Sequence, residues 1–208
     1  MRNEVEILRV NDHLGPGCGG MAVNLELKIV MKKRVLCLLV EGFEEIETVT
    51  PVDLLRRAGV EVVIASLHDQ SAAGRCGILI QGDALLADLD PSSFDLLLIP
   101  GGPGVAAMRS DGRAASLARD FAAAGKPVAA ICAAPLVLLD AGLLLGRRFT
   151  AYHSVREELG GGLDERVVVD GNLITSRGAG TAMDFSLALI AHLVGQTTAD
   201  QVAADIMA

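Results

Sequence analysis

A chain of 208 residues with 51% apolar and 21% charged residues has the material for one buried core and too little charge for a disordered polymer, so one domain is expected. Its formal net charge of −8, with no basic cluster longer than Lys32-Lys33-Arg34, argues against nucleic acid and points to small molecules or other proteins as partners. No apolar run approaches the roughly 20 residues needed to span a bilayer. The opening MRNEVEILRV carries acids where a secretory leader carries bases, so the cytosol is the expected compartment.

Residues 1–30 hold Gly-Pro-Gly-Cys-Gly-Gly at 15–20 and show no clear period, so they read as an N-terminal extension to a domain covering 31–208. From Arg34 onward short apolar runs alternate with longer amphipathic segments. Val35–Val40, Val60–Ser66, Phe94–Ile99 and Pro127–Ile131 read as strands buried on both faces. Between them, Ile46–Ala58, Arg113–Ala124 and Ala133–Ala141 have helical length and composition, with Ala-Gly steps where a helix stops. This βαβ alternation predicts a doubly wound α/β fold with a mostly parallel sheet.

Further on, Val167–Asp170, the turn pair Gly171-Asn172 and Leu173–Thr175 predict a hairpin decorating the sheet. Two helices close the chain, the first opened by Thr181 with Asp184 as a capping pair, the second by Thr198 with Gln201. In such a fold functional groups lie beyond the carboxyl ends of the strands. The loops after Val40, Ile99 and Ile131 are therefore the places to look for chemistry.

In Pro127-Val-Ala-Ala-Ile-Cys132-Ala-Ala-Pro135 a buried strand ends on a cysteine, and small residues lead straight into a helix. This is the composition of a nucleophile elbow, where crowding of the backbone demands small neighbours. A cysteine at a helix N-terminus is also expected to have a lowered pKa. The segment fits equally well a small hydrophobe filling the strand end. The other cysteines, Cys18, Cys37 and Cys76, form neither a CxxC pair nor a zinc-ligand spacing with histidine, so no disulfide framework or structural metal is expected.

The loop after the first strand, Glu41-Gly-Phe-Glu44-Glu45-Ile-Glu47-Thr48, places four acids where a strand end meets a helix. Glu44 and Glu45 read as solvated charges that complement the helix dipole. Glu47 lies a turn further in, toward Ile46 and Val49; a carboxyl buried beside a thiolate is driven to its neutral form and can donate a hydrogen bond to sulfur. Pro100-Gly101-Gly102-Pro103-Gly104 offers N–H groups without side chains, which suits an oxyanion hole. It lacks the Lys-Ser/Thr of a P-loop and is not GxGxxG, which disfavours nucleotide binding. His153 is the histidine best placed after Cys132 for acid–base work, while Ser154 and Glu157 suggest a capping box that would put it there for structural reasons. His13, His68 and His192 read as extension or surface residues.

With these residues identified, the stretch from about Lys33 to Ala208 resembles the ThiJ/PfpI superfamily, in particular its deglycase branch. The resemblance rests on five motifs in order: Glu41-Gly-Phe-Glu-Glu-Ile-Glu47-Thr48, Pro51-Val-Asp-Leu-Leu-Arg-Arg-Ala-Gly59, Leu98-Ile-Pro-Gly-Gly102, Ala129-Ala-Ile-Cys132-Ala-Ala-Pro135 and Thr175-Ser-Arg-Gly-Ala-Gly-Thr181. It implies a flavodoxin-like three-layer sandwich, similar to class I glutamine amidotransferases, and a homodimer that needs neither metal nor organic cofactor. It implies Cys132 as nucleophile and Glu47 as its protonated partner; the glycine loop and the elbow themselves suggest Gly101, Gly102 and Ala133 as the oxyanion or substrate-binding site. The activity implied is a glutathione-independent glyoxalase or deglycase acting on methylglyoxal-type 2-oxoaldehydes or glycated adducts. An oxidation-responsive sensor or chaperone and an amidase-like hydrolase are the alternatives. Ala133 stands where protease-like members have histidine, Ala179 where a proline is usual, and the family's histidine falls at Tyr152 or His153.

Overall fold

The computed structural model describes residues 32–208; the 1–30 extension, with Cys18 and His13, lies outside the described residues. In chain order the elements are β1 (Arg34–Leu39), α1 (Glu45–Arg57), β2 (Glu61–Ser66), β3 (Ser71–Ala73), β4 (Leu79–Gln81), β5 (Ala84–Leu85), β6 (Leu96–Ile99), α2 (Val105–Asp111), α3 (Arg113–Ala123), β7 (Val128–Ile131), α4 (Pro135–Asp140), β8 (Val167–Asp170), β9 (Leu173–Ser176), α5 (Ala182–Val194) and α6 (Gln196–Asp205). Seven strands form one sheet in the order β5-β2-β1-β6-β7-β9-β8, and β3 and β4 form a separate antiparallel pair. Only β8 runs antiparallel in the large sheet.

The four runs expected to be strands are the centre of this sheet, and they are apolar throughout because both faces are covered. Leu36, Leu38, Leu97, Ile99 and Ala130 pack with α2, α3 and α4. Val35, Cys37, Leu39, Leu98 and Ile131 pack on the other face with α1, α5 and α6. Two helical layers around one mostly parallel sheet make the flavodoxin-like sandwich. The chain winds from β1 outward to β2 and then returns to β6 on the other side, so β1 and β6 flank the switch point of the sheet. A crevice opens there at the carboxyl ends, beside the end of β7.

Several expectations need correction. The hairpin does not decorate the sheet: β9 pairs in parallel with β7, from Val128↔Leu173 to Ile131↔Ser176, so it is an integral strand and only β8 is an edge. Thr181 does precede α5, but its hydroxyl bonds Gly178 O at 2.7 Å and Ser176 Oγ at 2.6 Å instead of capping the helix. The last helix starts at Gln196, not Thr198, because Gly195, at φ 104°, breaks the chain between the two helices. No capping box forms at Ser154, since His153–Val155 is a single 3-10 turn without a side-chain cap. Among the described residues no helix is long and apolar enough to cross a membrane.

Candidate active site

The end of β7 is held by its neighbours. Cys132 N–H donates to Ser176 O on β9 at 2.9 Å, and Cys132 C=O accepts Tyr152 N–H at 2.8 Å. Between these bonds the residue is forced to φ 65°, a left-handed conformation that costs a non-glycine residue of order 1–3 kcal/mol. The strain belongs to a strand-to-helix elbow. It turns the partly buried thiol into the crevice, where the N–H groups of Gly102 and Ala133 point at the sulfur.

The expectation that position alone lowers the Cys132 pKa does not hold. Burial, then the Glu47 charge and the contact with its carboxyl, push the thiol up to about 12 against the pull of the two N–H groups. Helix α4, which follows the elbow, has only six residues and its dipole is correspondingly weak. A thiolate forms here only if a neighbour takes the proton.

The acid beside it is Glu47, which is 1% exposed. Its Oε2 accepts Gly101 N–H at 3.0 Å, while Oε1 is buried without a bond of full hydrogen-bond geometry. The Cys132 thiol lies against this carboxyl, close enough for each group to shift the other's protonation. Burial raises the Glu47 pKa to about 7; the Cys132 contact opposes the rise and the negative Glu44 adds to it. Gly101 has to be glycine, since a Cβ there would lie 2.6 Å from Glu47 Oε2 and 2.7 Å from Cys132 Cβ. This also corrects one oxyanion assignment. The Gly101 N–H is already engaged by Glu47, which leaves Gly102 and Ala133 as the free donors.

Glu44 and Glu45, expected to be solvated charges, are buried. Glu44, 7% exposed, caps α1 by accepting Glu47 N–H at 2.9 Å. Glu45, 6% exposed, accepts Cys76 N–H at 2.7 Å and Ile78 N–H at 3.4 Å. Burial acts to raise its pKa, but these backbone donors hold it below the usual carboxylate range. Glu41 accepts Ala73 N–H at 2.7 Å. Together Glu41 and Glu45 fasten the β3–β4 hairpin over the carboxyl end of β1. On the same helix Ile46 and Val49 are 52% and 50% exposed, so Glu47 points away from them.

The crevice holds a cavity of about 730 Å³ that includes Cys132, Glu47, Gly102, Ala133 and His153 in its wall. His153 and Tyr152 both line it, with ring centroids 4.2 Å apart; no hydrogen bond joins His153 to Cys132 or Glu47 among the described residues. Sequence reasoning missed the arginines of this wall, Arg75, Arg156, Arg166 and Arg177. Arg177 stands in the Ser-Arg-Gly-Ala-Gly motif and could have been flagged; Arg75 lies in an irregular turn with no signal. Among the described residues no cluster of three or more His, Cys, Asp or Glu could hold a metal ion.

A cysteine on a strained elbow beside a buried glutamate, at the carboxyl end of a flavodoxin-like sheet, defines a class of α/β proteins that turn a thiol into a crevice. Within that class residues 33–192 match the DJ-1/PfpI family, and the chain belongs to it. It is 38% identical over 184 residues to protein dj-1beta of Drosophila melanogaster, covering 85% of this chain and 98% of that one. It is 36% identical over 151 residues to deglycase PfpI of Pyrococcus furiosus, covering 71% and 91%. The solved structure of oxidized Toxoplasma gondii DJ-1 superposes with a TM-score of 0.80 at 34% identity, covering 84% and 98%.

Proposed function

We propose that this protein is a cofactor-free cysteine enzyme that converts 2-oxoaldehydes of the methylglyoxal type, or their adducts, to hydroxyacids. The observation that carries the reading is the buried Glu47 carboxyl, fixed on one oxygen by Gly101 N–H and unpartnered on the other, against the Cys132 thiol. Relatives named as deglycases support the same chemistry.

Glu47 takes the thiol proton as sulfur attacks the aldehyde carbon, and the new alkoxide lies within reach of the Gly102 and Ala133 N–H groups. Protonated Glu47 then returns the proton to that oxygen, giving a hemithioacetal. The C1 hydrogen leaves as a proton and is redelivered at C2, which reduces the ketone carbon and oxidises C1 to a thioester. Water cleaves the thioester, releasing hydroxyacid and regenerating the thiol. For the free 2-oxoaldehyde the atoms of substrate plus one water equal those of product, and for an adduct the carried amine or thiol is released as well, so no external oxidant or reductant is consumed. His153, in the wall, is the group we assign to the incoming water.

The active pair holds one proton, whether on sulfur or on carboxylate. It gains a second proton as pH falls through about 7 and loses its last only near about 12. The kcat/KM for glutathione-free lactate formation from methylglyoxal is therefore expected to fall about tenfold per unit below pH 6 and to stay level from pH 8 to 10. A flat profile from pH 5 to 9 removes Glu47 from the reaction.

An oxidative-stress sensor based on Cys132 is the second reading, favoured by the same two N–H groups aimed at sulfur and by a relative solved in an oxidized form. Graded peroxide followed by mass spectrometry separates the two: dioxidation of Cys132 in a protein without turnover favours sensing.

We further propose a homodimer through the exposed apolar residues of α1 and the neighbouring β3–β4 turn, Ile46, Val49, Ile78 and Leu79, which are 50–68% exposed. Such a patch is unusual for a monomer. Sedimentation of the wild-type protein is expected to give a dimer and of the double variant Ile46→Glu, Val49→Glu a monomer; a wild-type monomer sinks the assignment.

A further inference from the structure

The cavity at Cys132 is far larger than the reaction at sulfur requires. A three-carbon dicarbonyl leaves most of about 730 Å³ to water, whereas that volume is ordinary for a ligand of drug size. The composition of the wall shows what the extra space suits. Four arginines line it against three acids, Glu44, Glu47 and Asp164. Glu44 and Glu47 are buried and engaged with the backbone of α1 and Gly101. Asp164 is shared by Arg156 at 3.1 Å and Arg177 at 3.5 Å, and Arg166 pairs with Asp184. Arg75 differs from these three: among the described residues its guanidinium has no carboxylate in ion-pair contact, though its charge reaches Glu45 and Glu47.

Arg75 is also held in place. Its N–H donates to Phe43 O at 2.8 Å, and its neighbours Gly74 and Cys76 are fixed by Ile78 O and by Glu45 Oε1 at 2.9 and 2.7 Å. A Cβ at Gly74 would stand 2.4 Å from the Glu45 carboxyl, so a larger residue there would have to displace that side chain. A buried acid on α1 thus anchors a two-stranded excursion whose turn presents one unpaired cation to the cavity.

We propose that Arg75 is a specificity-determining residue that binds an anionic group on the substrate, so that the preferred substrates are 2-oxoaldehydes, or adducts of them, with a carboxylate or phosphate remote from the reacting carbonyl. This rests on Cys132 being the nucleophile. A guanidinium is suited to either anion, because both present paired oxygens to its fork of donors. The aldehyde then lies over the sulfur and the anion toward the β3–β4 turn, with Glu45 as the positioning residue behind Arg75.

The test compares methylglyoxal, 4,5-dioxopentanoate and the phosphate ester of hydroxypyruvaldehyde on wild type, Arg75→Ala and Arg75→Lys. The wild type is expected to show KM values about tenfold lower for the two anionic substrates than for methylglyoxal. Arg75→Ala is expected to remove that advantage, and Arg75→Lys to restore part of it; the larger loss identifies carboxylate or phosphate as the natural partner. Equal changes for all three substrates overturn the proposal. A second measurement does not need turnover: the ratio of Cys132 alkylation rates by iodoacetate and iodoacetamide, followed by peptide mass spectrometry, is expected to fall about tenfold in Arg75→Ala. An unchanged ratio overturns the anion site even in an active enzyme. A lowered ratio in a protein that converts none of the three aldehydes keeps the site and sinks the glyoxalase reading instead.

Discussion

Cys132→Ser is expected to lower glutathione-free lactate production from methylglyoxal by about a thousandfold or more, the scale on which loss of a nucleophile is felt, while leaving the melting temperature nearly unchanged. Both halves follow from the elbow. The bonds that force the backbone to φ 65° are made by Cys132 N–H and C=O, which serine keeps, and its hydroxyl is smaller than the thiol. Chemistry fails because an alcohol is a weaker acid and a poorer nucleophile than the thiol it replaces, so Glu47, with a pKa of about 7, yields far less of the attacking anion. The two N–H groups from Gly102 and Ala133 remain, so weak binding of substrate persists without turnover. The measurement is lactate released by purified protein alongside a thermal melt; activity within tenfold of wild type would remove Cys132 from the mechanism.

Strands were legible where burial is two-sided. Val35–Val40 and Pro127–Ile131 read as continuous apolar runs because the sheet is covered on both faces, and their observed limits differ from the expected ones by a residue. The β3–β4 pair was not legible, since Ile78 and Leu79 are exposed and no alternation marks them. Helix α2 was missed because seven residues opened by Gly104 offer neither period nor capping side chain. The apolar pattern of α1 misled in a more instructive way. Ile46 and Val49 face outward and Glu47 inward, so hydrophobic spacing points to the wrong face wherever a helix buries an acid and exposes apolar residues.

The site was partly legible for a related reason. Cys132 and the glycine loop announce themselves through strand ends and backbone crowding. The partners of Glu41, Glu44 and Glu45 are amides of residues 73, 47, 76 and 78, and every residue type has an amide. No sequence pattern marks which acid will be fastened to such groups. Glu47 was set apart by its place a turn further into the helix, and the family motif added to that reading. Geometry supplies the distinction that composition lacks: among these four acids, it is the one whose carboxyl bonds the glycine loop and lies against the thiol.

Glu47→Gln separates the needs of catalysis from those of the fold. Glu47 is raised from the ordinary 4.5 to about 7, chiefly by burial, so the folded protein binds its proton more tightly than the unfolded chain. The associated stability is complete below pH 4.5 and is lost as pH rises through about 7. A shift of this size corresponds to about 3 kcal/mol, with no discount for screening at a carboxyl 1% exposed. Glutamine keeps an acceptor for Gly101 N–H and cannot ionise. The variant is therefore expected to unfold at higher urea than wild type at pH 8, by an amount worth about 2–3 kcal/mol, and to approach wild type at pH 5. It is expected to lose about a hundredfold or more in kcat/KM at pH 8, because nothing takes the thiol proton. Urea titrations at the two pH values, paired with the lactate assay, check both halves. A stability difference that is the same at pH 5 and pH 8 would show that Glu47 is not held near neutrality, and with it would go the shared proton on which the proposed mechanism turns.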